Sequence, residues 1–104
     1  MKVYVAGPMT GLPDFNYPAF TAAAERLTAA GHRALNPVDS ETLNDTGSPQ
    51  TWDWYMRHAL RMVLDADGIA LLDGWEASRG ARLEHHVATT LGIPVHPLTE
   101  WTTA

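Results

Sequence analysis

Three groups of residues in this chain have types and spacings that can do chemistry. The first is Gly7-Pro8-Met9-Thr10-Gly11, where glycines let backbone N–H groups approach an anion and Thr10 offers a hydroxyl. It lacks the G-x-x-x-x-G-K-[ST] pattern and its lysine, so it is not a P-loop, and a turn-rich connection accounts for it equally well. The second is Ser78-Arg79-Gly80, a hydroxyl, a guanidinium and a small residue at a predicted helix start, which suits a phosphate. An ordinary N-cap serine followed by a solvated arginine uses the same residues. The third group is acidic: Glu84 lies beside Leu83 and Val87, and Asp73 is the first polar residue after an apolar run. Two carboxylates on neighbouring segments divide acid and nucleophile roles when their surroundings separate their pKa values. The plainer alternatives are a solvated helix glutamate and an Asp73-Gly74 turn.

Other residues carry weaker signals. His85 and His86 are adjacent, and side chains about 100° apart on a helix do not readily share one ion, so no metal is expected. Trp52, Trp54 and Tyr55 read as packing residues, whereas Trp75, in a loop, is the better candidate for touching a ligand or a partner subunit. No cofactor is expected.

These residues need elements to hold them. "KVYVA" (2 to 6) reads as a buried strand, and the Gly- and Pro-rich run after it as a loop. Asn16 as cap, Pro18 in the first turn and Phe20, Ala24, Leu27 and Ala30 at helical spacing predict a helix of about 14 residues ending at Gly31. "HRALNPV" is a weaker strand, stopped at Asn36-Pro37. "DSETLNDTGSPQ" reads as an exposed loop. Ser48-Pro49 is the expected start of a second helix, with Trp52, Tyr55, Met56, Ala59, Leu60 and Val63 on its apolar face up to about Asp65. "DGIALL" (67 to 72) is the clearest strand. Leu83, Val87 and Leu91, with Ala88 beside them, predict a third helix from Ser78 to Gly92. "IPVHPL" is a last short strand, and "TEWTTA" fits no element.

Strands alternating with helices predict one α/β domain over residues 1 to 104, a three-layer sandwich of flavodoxin/Rossmann type with a mainly parallel sheet of four to five strands. In such sheets ligands sit beyond the carboxyl ends of the strands, which selects the loops at 7 to 15, 36 to 47 and 73 to 78. The net charge of -5, with only 7 Lys and Arg, argues against long nucleic acid as a partner. The chain has no cysteine, so thiolate chemistry and disulfides are out. The four-residue apolar run before Gly7 is too short for a signal peptide or a membrane span, and a cytoplasmic protein without a membrane partner is expected.

"VYVAGPMTG", the "NP" after the second strand and "ADGIALLDGWEASRGARLEHHVATTLGIPV" together resemble the nucleoside 2-deoxyribosyltransferase-like superfamily, over about residues 2 to 97. Its relatives include the nucleotide N-glycosidase branch, similar to 5-hydroxymethyl-dUMP N-hydrolase and CMP N-glycosidase, and the likeness points to a small subfamily there that carries the "AGPMTG" and "GWE-S-GA---E" signatures. It implies cleavage of the bond between a base and (deoxy)ribose, with hydrolysis of a nucleoside 5′-monophosphate, a deoxyribosyl transfer, or nucleotide binding without turnover as alternatives. Glu84 matches the family's glutamate, which attacks or electrostatically stabilises C1′, and Tyr4 matches a tyrosine that orients it. Residues 7 to 11 match the loop around the sugar and phosphate, Asn36 lies in the "NP", and Ser78 matches a phosphate-contacting serine. Where the family places an aspartate that helps protonate the leaving base, this chain has Ala59. Three explanations stay open: Asp73 or His58 supplies the proton, the leaving group needs less assistance, or the protein binds nucleotides without turning them over. The resemblance and the short chain also imply a homodimer or higher oligomer that completes the pocket.

Overall fold

A computed structural model describes residues 1–43, 48 and 50–102 of the 104-residue chain. Four strands, β1 (Lys2–Ala6), β2 (Arg33–Leu35), β3 (Gly68–Leu71) and β4 (Val95–Pro97), form one sheet in the order β2-β1-β3-β4. Every pairing is parallel, which refines the expected mainly parallel sheet of four to five strands to an all-parallel sheet of four. The helices are α1 (Tyr17–Ala29), α2 (Trp52–Asp65), α3 (Arg79–Thr90) and α4 (Leu98–Thr102).

β1 explains the three layers. Period-2 alternation sends Val3 and Val5 to one face and Tyr4 and Ala6 to the other, and all four are at most 1% exposed. Val3 and Val5 join Phe20, Ala23 and Leu27 of α1 and Leu98 of α4. Tyr4 and Ala6 join Ala59 and Val63 of α2 and Ala88 of α3 on the opposite side. Burying a side chain such as Phe20 or Leu27 stabilises the fold by roughly 1.5–3 kcal/mol before the entropy of ordering is subtracted.

Several expected boundaries and faces move. α1 buries Phe20, Ala23 and Leu27, so Ala23 rather than Ala24 faces the sheet, and Ala30 is the exposed C-cap. Asn16 does not cap it with its side chain: Nδ2 donates to the Pro8 carbonyl at 3.0 Å, and the backbone at Asn16 is left-handed. α2 begins at Trp52, not at Ser48-Pro49; Thr51 caps it, its hydroxyl accepting from the Trp54 N–H at 3.2 Å. Pro49 lies outside the described residues, as do positions 44–47 of the expected loop. The earlier part of that loop, Pro37–Leu43, is a short 3-10 segment that buries Ser40.

The tail that fitted no element supplies α4. Trp101 packs against the bare Cα of Gly68, where an added Cβ would lie 2.3 Å from its ring, and its indole N–H donates to the Ile69 carbonyl at 2.7 Å. Such proximity to a neighbouring ring is available only to glycine. Among the described residues no helix is long and apolar enough to cross a membrane.

Candidate active site

The strand order reverses direction beside β1: β2 lies on one side and β3 on the other. In open parallel sheets such a switch point opens a crevice beyond the strand ends, because the two following loops lead to opposite faces. Here those loops are residues 7–16 and 72–78, and they touch. Leu72 donates its N–H to the Ala6 carbonyl at 2.8 Å, and an added Cβ on Gly7 would lie 2.8 Å from the Leu72 Cβ. Gly74 lies at ordinary contact with the Pro8 ring, 3.5 Å from its Cβ position to Cγ, and its own requirement for glycine is a φ of +85°. Gly7 is thus needed by the packing of one loop on the other, whatever ligand they face.

Glu84 is brought to β1 by the pitch of α3. Ser78 caps the helix, its hydroxyl accepting from the Ala81 N–H at 3.2 Å. The buried positions that follow are Ala81, Glu84 and Ala88, spaced by three and four, so a carboxylate sits in the middle of a small-residue face turned to the sheet. The expected face of Leu83, Val87 and Leu91 is rotated away: Leu83 and Val87 are half-buried and Leu91 is 57% exposed. Two alanines beside Glu84 let the helix pack closely enough for the carboxylate to reach β1.

There, among the described residues, its hydrogen-bond partner is a single hydroxyl. The Tyr4 hydroxyl donates to Glu84 Oε2. Tyr4 is 1% exposed and Glu84 5%, and Tyr4 packs with Ala59 and Ala88 in the core on that side of the sheet. Burial pushes the Glu84 carboxyl from 4.5 up to about 8, with the Tyr4 hydrogen bond pulling the other way. Tyr4 itself is raised well above 10.0, first by burial and then by the neighbouring Glu84 charge and hydrogen bond. A carboxyl held in this way at neutral pH exists largely as the acid, unlike a surface glutamate.

The remaining predicted residues fall into distinct places. Asp73 is exposed at the end of β3, and no hydrogen bond ties it to Glu84 among the described residues. Thr10 and Gly11 are exposed, Pro8 is half-buried, and Met9 packs into the core on the α1 side. Asn36 is buried, its Oδ1 accepting from the Val38 N–H at 3.1 Å. It borders an open depression of about 510 Å³ against Thr21 and Glu25 of α1, which Tyr4 and Glu84 do not line. Gly80 faces α2, with 3.0 Å from its Cβ position to Met56 Sδ, so the close approach it permits is between helices. Arg79 lays its guanidinium over the Trp52 ring, 3.9 Å from the centroid. Ala59 is buried and apolar where the resemblance expects an acid, and His58 is turned to Trp54, ring centroids 4.3 Å apart.

Two contacts at the site have no signature in the sequence. Trp75 stacks on His85 with centroids 4.5 Å apart and planes 16° from parallel, which pins the loop after β3 to α3. Trp52 receives Arg79 from a helix 27 positions further on. Both join residues distant in the chain, so no local spacing announces them.

The family described as "Domain of unknown function (DUF4406)" matches residues 1–97. The chain belongs to this family. A search of curated proteins gives no match. Among solved structures, it resembles a 2-deoxyribosyltransferase from the psychrotolerant bacterium Bacillus psychrosaccharolyticus, with a TM-score of 0.67 and 20% sequence identity over 91% of this chain and 69% of the other. At that identity the likeness establishes the fold: a four-stranded parallel sheet with helices, of the deoxyribosyltransferase type.

Proposed function

We propose that this protein cleaves the N-glycosidic bond of a (deoxy)nucleoside 5′-monophosphate and releases the free base. The observation that carries the reading is the buried Glu84 carboxyl, hydrogen-bonded by Tyr4 of β1 and carried on the helix that follows the loop after β3. A single carboxyl taken out of water, at the position where open parallel sheets hold ligands, suits a reaction whose transition state gathers positive charge at C1′. Glu84 is the group that acts at that carbon, and Tyr4 positions it.

The loop at Gly7, Pro8, Met9, Thr10 and Gly11 borders the sugar in this reading, with Trp75 and Asp73 on the facing loop. Ser78, Arg79 and Gly80 open α3, whose N-terminus favours an anion, and this supports a 5′-monophosphate over a free nucleoside. Asn36 borders a depression that Glu84 does not line and is the weakest member of the set. Leu12, 40% exposed, and Phe15, 60% exposed, stand on the loop after β1 and support closure of the pocket by a second subunit, which light scattering tests.

Two other readings have an observation each. Deoxyribosyl transfer draws on the fold shared with a 2-deoxyribosyltransferase. Binding without turnover draws on the buried, apolar Ala59. Incubation with a panel of nucleosides and 5′-monophosphates separates the three. Base release from monophosphates, abolished by Glu84→Ala, is expected; base exchange between nucleosides supports transfer, and a raised melting temperature without release supports binding alone.

A further inference from the structure

An N-glycosidase needs a proton for the departing base, and the structure restricts where one can come from. Asp73 and Glu76, the carboxylates on the loop after β3, are exposed and not bonded to Glu84. The other titratable groups on elements packed against α3 are engaged elsewhere or stand in solvent. On α2, His58 and Tyr55 are against Trp54, and Asp53, Arg57 and Arg61 are exposed. On β4, His96 pairs with Glu100 at 3.3 Å, and on β1 Lys2 pairs with Asp65 at 3.2 Å. On α3 itself, Arg79 covers Trp52 and His85 stacks on Trp75, while Arg82 and His86 are exposed. Tyr4 is the titratable group that reaches Glu84, and Ala59 and Ala88 complete an apolar wall beside it.

A buried carboxyl that, among the described residues, has only the Tyr4 hydroxyl as a bonded partner rests in the neutral form. We infer that Glu84 is itself the acid of the reaction: it enters protonated, hands its proton to the leaving base, and stabilises C1′ as the carboxylate it has then become. The inference rests on the glycosidase reading above. The C1′–N bond breaks with its electron pair going to the base nitrogen, which takes the Glu84 proton. C1′ is left as an oxocarbenium ion facing the new carboxylate. Water adds its oxygen to C1′, and the proton it sheds returns to Glu84, so base and sugar leave neutral and the enzyme is restored. Tyr4 holds Oε2 throughout, which leaves the other oxygen to carry the proton. In this cycle the proton that the resemblance assigns to an aspartate at position 59 is supplied by the same residue that works at C1′.

The test is the pH dependence of kcat/KM for whichever monophosphate is cleaved, with Glu84→Gln and Tyr4→Phe beside the wild type. An acid that must be protonated gives a plateau that falls about tenfold per unit above about 8, and Tyr4→Phe moves that limb upward because the Tyr4 bond favours the ionised form. A carboxylate that must be ionised from the outset gives a rate that rises towards pH 8, and that result overturns the inference. The leaving group supplies a second readout. On an analogue whose base is already N-methylated and cationic, the base departs without a proton, so Glu84→Gln should lose much less activity than the hundredfold or more expected on the ordinary substrate. Equal losses on both overturn the acid role while leaving the glycosidase reading intact. No base release by the wild-type protein from any nucleotide overturns the glycosidase reading first.

Discussion

Replacing Glu84 by Gln keeps the size of the side chain and an acceptor for the Tyr4 hydroxyl, and removes only the ability to ionise. In the folded protein Glu84 gives up its proton near 8, and in the unfolded chain near 4.5. Between those values the native state holds a proton that the unfolded state has already lost, so unfolding becomes easier as the pH rises. The slope is about 1.4 kcal/mol per pH unit, and the whole shift corresponds to roughly 5 kcal/mol, complete once the pH has passed the folded-state value. With Glu84 only 5% exposed, solvent screening removes little of this. For a domain whose total stability is about 5–15 kcal/mol, this is a large share. Urea denaturation of wild type and Glu84→Gln at a series of pH values gives the difference directly. From pH 5 to 7.5 the wild type should lose about 3 kcal/mol relative to the variant, a relative shift of roughly 1–3 M in midpoint. Below pH 4.5 and above about 8.5 the two curves should run parallel. Curves parallel across the whole range would refute the buried, raised carboxyl, and with it the physical basis for assigning Glu84 a role.

Other substitutions probe the supports of the site. Tyr4→Phe removes the hydroxyl that steadies the ionised form of Glu84, and should cost about 1.5–3 kcal/mol above pH 8 and less at pH 5, read from the same titrated denaturation curves. Gly7→Ala puts a methyl 2.8 Å from the Leu72 Cβ, a backbone-anchored atom that cannot swing aside; a loss of about 1–3 kcal/mol and a weakened substrate KM are expected, measured by thermal melting and kinetics. Ser78→Ala and Thr51→Ala each remove a helix cap and should cost about 1 kcal/mol in stability. Only Ser78→Ala should also raise KM for a 5′-monophosphate.

The strands and helices were legible because their periodicities are local. Lys2–Ala6 and Gly68–Leu71 announce themselves as apolar runs, and β1 fills both faces of a sheet only because every residue from Val3 to Ala6 is apolar or, in Tyr4, largely so. Ser48-Pro49 and Thr51 both satisfy the local rules for the start of α2, and the choice between them depends on whether the Thr51 hydroxyl reaches the Trp54 N–H. The largest apolar residues of α3 do not mark its buried face. Alanines at 81 and 88 mark a closer contact than leucines do, and a close contact is what brings Glu84 to Tyr4.

The sequence by itself determined the alternation of strands and helices, the crevice-forming loops and the presence of a carboxylate in an apolar stretch, since each depends on neighbours within a few positions. Tertiary structure alone decided that Glu84 and Tyr4, 80 residues apart, share a hydrogen bond, and that Trp75 lies on His85 and Arg79 on Trp52. It also decided the ionisation of Glu84, because the cost of charging a group is set by the water and charges around it in three dimensions, and no spacing along the chain encodes them.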